Sequence, residues 1–149
     1  MFDSYVFHID VNSAYLSWEA AYRIHHLGYL QDLRAIPSAV SGDTALRCGI
    51  ILAKSLPAKK YGIQTGESIF QAKQKCPNLL LVPPNYTLYQ RCSAAMIRLI
   101  ETYSPAVEPY SIDEVFADMT GVPLSKEGQS SHSAVLAYAN QLREACPCP

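Results

Sequence analysis

Two strand-forming runs, Val107 to Tyr110 and Val115 to Met119, are separated only by Ser111, Ile112, Asp113 and Glu114. So short a link leaves no room for a crossover. The runs must lie side by side through a tight hairpin or a sharp bend, with two acids at its tip. Any fold for this chain therefore carries Asp113 and Glu114 at the end of a strand pair. Earlier, Tyr5 to Val11 is β-rich and too short for a helix, so it reads as a buried strand ending at Asp10 and Val11.

The segments between these acids set the fold class. Asn12 or Ser13 can cap a helix in which Tyr15, Trp18, Ala21, Tyr22 and His25 recur at helical spacing until Gly28. Short strands are expected around Ala35 to Val40 and Gly49 to Leu52, and Pro37 means that the first either starts there or lies at a sheet edge. Lys54 to Tyr61 reads as a short helix stopped by Gly62, and Ser68 to Cys76 as another stopped by Pro77. Leu79 to Val82 is strand-like. It leads through Pro83, Pro84 and Asn85 into the clearest helix, with Leu88, Cys92, Ala95, Met96, Leu99 and Ile100 on one stripe. A polar loop over Thr120 to Ser131 precedes a last helix striped by Val135, Tyr138, Ala139, Leu142 and Cys146. Taking the first strand with the elements from the Leu88 to Ile100 helix onward, the order strand, helix, strand, strand, helix predicts an α+β fold, a ferredoxin-like (split βαβ) sheet whose final strand would begin at Pro149.

Composition narrows the class further. With 149 residues, 49% of them apolar, the chain can bury one core, or one core plus a sizeable insertion. No low-complexity linker, basic leader or membrane-length apolar stretch is present. Cys48, Cys76, Cys92, Cys146 and Cys148 are odd in number without an export signal, which predicts reduced thiols and a cytoplasmic protein. Cys146 and Cys148 lack two further ligands at metal-binding spacing. A net charge of −1 does not by itself suggest a grip on DNA. The local groups Lys54, Lys59, Lys60 and Lys73, Lys75 are of the kind that more often form solvated helix faces.

Phosphoryl transfer from a nucleoside triphosphate requires charge neutralisation on the attacking and leaving oxygens, which two hard cations held by carboxylates supply. Asp10 ends a strand and is followed by a helix start whose first N–H groups suit phosphate. If the two strand tips are neighbours, Asp10, Asp113 and Glu114 converge there. Taken singly, each acid is more simply a solvated turn residue or a cap.

A resemblance changes that balance. His8-Ile9-Asp10-Val11-Asn12-Ser13-Ala14-Tyr15 resembles the opening metal motif of Y-family DNA polymerases, and Tyr110-Ser111-Ile112-Asp113-Glu114-Val115-Phe116 their second. Ala58-Lys59-Lys60-Tyr61-Gly62-Ile63-Gln64-Thr65-Gly66 is similar to the fingers motif of the same family. The run from Asn85 to Val122 is most like the UmuC-type mutagenesis branch, and the three motifs stand in the family's order over most of the chain.

The resemblance implies a translesion, error-prone DNA polymerase acting in DNA repair and the SOS response, built on a palm at 1–21 and 82–149 with small fingers inserted at 22–81. It implies that Asp10, Asp113, Glu114 and the Val11 carbonyl hold two Mg²⁺ ions, with Mn²⁺ able to substitute. Asn12, Ser13, Ala14 and Tyr15 would lie against the triphosphate, with Tyr15 as the steric gate for the sugar. Lys59 stands at the family's basic triphosphate contact. Leu56 replaces a family Tyr, so Lys54 is a candidate substitute. The implied partners are primer-template DNA and a deoxynucleoside triphosphate, with no membrane. Sliding clamp or recombinase proteins would act through regions outside this chain. Thumb and little finger would follow Pro149, so this chain is expected to be the N-terminal part of a longer enzyme and inactive alone. Two other readings stand beside it. One is a catalytically silent palm-fold module that binds partner proteins; the other is a palm-fold nucleotidyl cyclase.

Overall fold

The computed structural model describes residues 4–42, 49–122 and 131–146. Cys48, Cys148 and the loop expected over 120–131, from 123 to 130, lie outside these residues. The chain divides into two units, one of Met1–Val11 with Gln90–Cys148 and the other of Asn12–Tyr89.

In the first unit, β1 (Val6–Asp10), β5 (Ala106–Pro109) and β6 (Glu114–Asp118) form a sheet in the order β1-β6-β5. Both pairings are antiparallel, the arrangement of a split βαβ sheet with its hairpin strand in the middle. Side chains alternate across the sheet, so one face carries Phe7, Ile9, Val115 and Ala117. That face packs against Met96, Ile97 and Ile100 of α4 (Tyr86–Glu101) and Tyr138 and Leu142 of α5 (Ser131–Ala145). The other face carries His8, Asp10, Glu114 and Phe116. Ser104 locks the far end of the sheet, its Oγ lying 2.7 Å from the Asp118 carbonyl.

In the second unit, β2 (Ser38–Ser41) is flanked by β3 (Ile51–Lys54), antiparallel, and β4 (Leu80–Val82), parallel. Pro37 thus marks the start of a central strand, where its missing N–H removes no ladder bond. One side of this sheet packs on α2 (Leu56–Lys60) and α3 (Ile69–Lys75), with Ile51, Ala58, Ile63, Ala72 and Leu79 buried between them. The other packs on α1 (Ala14–Leu27) through Leu16, Ala20, Val40, Ala53 and Val82. Fully burying one such large aliphatic side chain stabilises by about 1.5–3 kcal/mol.

The elements begin and end for local reasons. α1 closes at Gly28, whose φ of 71° is the left-handed conformation of a helix C-terminus. α2 starts later than the expected Lys54, because Lys54 completes β3 and Ser55 caps the helix, its Oγ accepting from the Ala58 N–H. α3 begins with a capping box between Ser68 and Gln71. Among the described residues no helix is long and apolar enough to cross a membrane.

Candidate active site

The metal-motif acids all fall within the first unit, at one end of its sheet. Register places Asp10 directly opposite Glu114, so both side chains leave the same face, the one away from the helices. One step further, the Val11 N–H donates to the Asp113 carbonyl at 3.0 Å. The turn between β5 and β6 is closed by the Tyr110 and Ser111 N–H groups, which donate to the Glu114 carbonyl at 2.9 and 3.1 Å. Ser111 Oγ then donates to Asp113 Oδ1 at 2.8 Å, holding that carboxylate at the turn.

Like charges directly across an antiparallel pair repel unless a cation or a donor intervenes. Asp10 is exposed and Glu114 half-buried, and His8 Nε2 lies 3.9 Å from Glu114 Oε2. His8 also stacks on Phe116, ring centres 4.6 Å apart, and Tyr110 meets Phe116 edge-on. Asp10, Glu114 and Asp113 bring carboxylate oxygens, hard donors of the kind divalent cations take, to the same end of the sheet. Among the described residues, no three His, Cys, Asp or Glu side chains are gathered around one point. The fit to metal therefore rests on the donor types and on the backbone register.

The remaining site candidates fall in the second unit. Ser13 is the N-cap of α1 but adopts φ 50° and makes no side-chain capping bond. Its Oγ instead donates to the Lys54 carbonyl at 3.0 Å, tying the helix start to the end of β3. The first N–H groups of any helix have no intrahelical partner, so a start without a side-chain cap suits an anion. Lys54 Nζ donates to Thr65 Oγ1 at 2.9 Å, and Lys59 is exposed on α2. Lys73 and Lys75, read as solvated, are committed elsewhere: Lys73 Nζ donates to the Leu79 carbonyl at 2.6 Å and Lys75 Nζ to the Gly62 carbonyl at 2.8 Å.

Tyr15 is half-buried and stacks on Tyr89 with ring centres 4.5 Å apart. Trp18 is buried beside both, as its apolar character predicts. Burial, together with the charge of Glu19, pushes the Tyr89 phenol well above its ordinary range. Sequence reasoning assigned nothing to His8, Glu19, Ser111 or Tyr89. The one local signal for Glu19 was its place four residues from both Tyr15 and Arg23 on a helix.

Residues 9–147 match the model of the impB/mucB/samB family. DNA polymerase IV of Clostridium acetobutylicum is 50% identical over 115 residues, 77% of this chain and 29% of that protein. DNA polymerase IV 1 of Bacillus subtilis is 42% identical over 120 residues, 80% of this chain and 27% of that protein. The chain thus spans under a third of the length of these curated relatives. Among solved structures, a Y-family DNA polymerase chimera superposes with a TM-score of 0.74 at 21% identity, over 93% of this chain and 38% of its own. DinB from Sulfolobus solfataricus gives 0.73 at 21% identity, over 94% and 38%. The chain therefore shares its fold with the matched part of these polymerase structures.

Proposed function

Because the chain belongs to the impB/mucB/samB family, we propose that it carries the palm and fingers of a translesion DNA polymerase, which extends a primer on a template from deoxynucleoside triphosphates. The observation that carries this reading is the register of β1 and β6, with Asp10 opposite Glu114 and Val11 bonded to Asp113. Asp10, Asp113, Glu114 and the Val11 carbonyl would hold two divalent cations, Mg²⁺ with Mn²⁺ as a substitute. Bound there, the pair would neutralise charge on the attacking and leaving oxygens of phosphoryl transfer.

The other residues bind and orient. Asn12, Ser13, Ala14 and Tyr15 offer the start of α1 to the triphosphate, which the Ser13 link to Lys54 supports by holding that start in place. Lys59 supplies an exposed cation to the phosphates. Lys54 serves the role vacated at Leu56. Tyr15 excludes the 2′-hydroxyl. We assign residues 1–21 and 82–149 to the palm and 22–81 to the fingers. The compact units are cut nearer the acids because α1 packs on β2, β3 and β4. Acting on chromosomal DNA places the protein in the cytoplasm, and clamp or recombinase proteins would recruit it through segments other than this one.

Primer extension by the full-length protein tests the reading. Asp10→Asn, Asp113→Asn and Glu114→Gln should each lower the rate by about 10³-fold or more, since each removes charge stabilisation from the reacting centre. Thermal melting should show the fold retained. Unchanged extension by Asp113→Asn would leave a non-catalytic palm module as the better account.

A further inference from the structure

We infer that Glu19 is a positioning residue for sugar selection: it fixes the ring of Tyr89, and that ring is the wall on which Tyr15 is held. The inference rests on the reading of Tyr15 as the sugar selector. Glu19 is only 5% exposed, and a buried carboxylate is costly unless both oxygens find donors. Both do. Arg23 Nε, one helical turn on, donates to Oε1 at 2.8 Å, and the Tyr89 hydroxyl donates to Oε2 at 3.4 Å.

Tyr89 is wholly buried, and Tyr15 lies on its face with 10° between the ring planes. Tyr86 meets both rings edge-on, at 6.2 Å from Tyr15 and 6.1 Å from Tyr89. Tyr89 is thus held at its hydroxyl by Glu19 and on one face by Tyr15. An aromatic cluster needs no carboxylate to be packed. Phe at position 89 with an apolar residue at 19 would bury the same surface without desolvating a charge. What the acid adds is direction, because a hydrogen bond at the far end of the ring limits the sliding and tilting that stacking alone permits.

Stiffness is what exclusion of a hydroxyl demands. Repulsion rises steeply with overlap, so a shift of a fraction of an ångström in Tyr15 relieves most of the clash with a 2′-oxygen. The quantity to read is the ratio of kcat/KM for deoxy- over ribonucleoside triphosphates in the full-length protein. Glu19→Ala and Tyr89→Phe both remove the Tyr89–Glu19 contact and should each lower that ratio by about fivefold, the effect of losing a hydrogen bond of ordinary strength, as its 3.4 Å length implies. Glu19→Gln keeps an acceptor for Arg23 and a partner for the hydroxyl, and should stay within about twofold of the starting ratio. A purely structural role would depress both sugars together and leave the ratio alone. Tyr89→Phe keeps the ring and its volume, so it decides the matter if Glu19→Ala does not fold. If Tyr15→Ala relaxes the ratio while Glu19→Ala and Tyr89→Phe leave it unchanged, the inference is overturned and Tyr15 remains the selector. If Tyr15→Ala itself leaves the ratio unchanged, the selector reading is overturned with it.

Discussion

Ser13 turns its backbone to φ 50°, a left-handed conformation that costs a residue with a Cβ about 1–2 kcal/mol. Its hydroxyl bond to the Lys54 carbonyl offsets part of that cost and fixes where α1 begins. Two residues on, Tyr15 therefore leaves the helix at a defined place, on a floor made by Tyr89. Replacing Tyr15 with Ala in the full-length protein removes the ring and should shift the deoxy-to-ribonucleotide ratio of kcat/KM toward ribonucleotides by on the order of 10- to 100-fold. An unchanged ratio would make Tyr15 a core aromatic beside Trp18. The place of Asp10, Asp113 and Glu114 at one end of a sheet was legible in the sequence because each stands at the end of an apolar strand run, while their reading as metal ligands came from the resemblance alone. The Glu19 to Tyr89 bond was not, since its partners lie 70 residues apart and meet only through tertiary structure. Of Asn12 and Ser13, the two caps the sequence offered, Ser13 holds the position but makes no capping bond, because its hydroxyl is drawn to the end of β3.

Element by element, the strands lie where they were read, but β1, expected to be buried, alternates between exposed and half-buried residues because α4 and α5 cover only one face of its sheet, and β2 is buried at all four positions. Tyr5 to Val11 became β1, and the hairpin came out as β5 and β6 with Asp113 in its turn. α1 departed from its expected stripe: His25 is exposed, while Ala14, Leu16, Trp18, Glu19 and Ala20 are buried. The helix packs its Leu16 and Ala20 side on β2 to β4 and its Tyr15 and Trp18 side on Tyr89, so no single period describes it. In α4 the stripe holds at Met96 and Ile100, yet Ala95 is exposed and Ser93 buried. α3 is the element whose start rests most clearly on one side chain: Ser68 Oγ accepts the Gln71 N–H at 3.2 Å, and Gln71 Oε1 accepts the Ser68 N–H at 3.4 Å. Ser68→Ala breaks the first bond and should cost about 1 kcal/mol. Urea unfolding would show this as a lowered midpoint at constant slope. A midpoint within error of the parent would mean that packing through Ala72 alone holds α3.

On the scale of the whole molecule, the acids and the nucleotide-binding candidates are allotted to different units, the acids to the sheet of β1, β6 and β5 and Ser13, Tyr15, Lys54 and Lys59 to the unit built on β2 to β4. That separation was not legible from motif order, which runs through both units in turn. Several cations are also committed within their own unit, since Lys73 and Lys75 donate to loop carbonyls and Arg23 and Arg34 are paired with Glu19 and Asp32. With a net charge of −1, the chain exerts little long-range attraction on phosphates. We propose a two-cation site for nucleotidyl transfer at one end of the β1-β6-β5 sheet. Its most direct test is the number of Mn²⁺ ions bound per full-length protein, read by electron paramagnetic resonance with primer-template and a non-hydrolysable deoxynucleoside triphosphate. We predict about two tightly held ions in the parent protein, the count a two-metal site requires, and a loss of at least one in Asp10→Asn and in Glu114→Gln. The same count in the parent and both variants would mean that Asp10 and Glu114 hold neither ion.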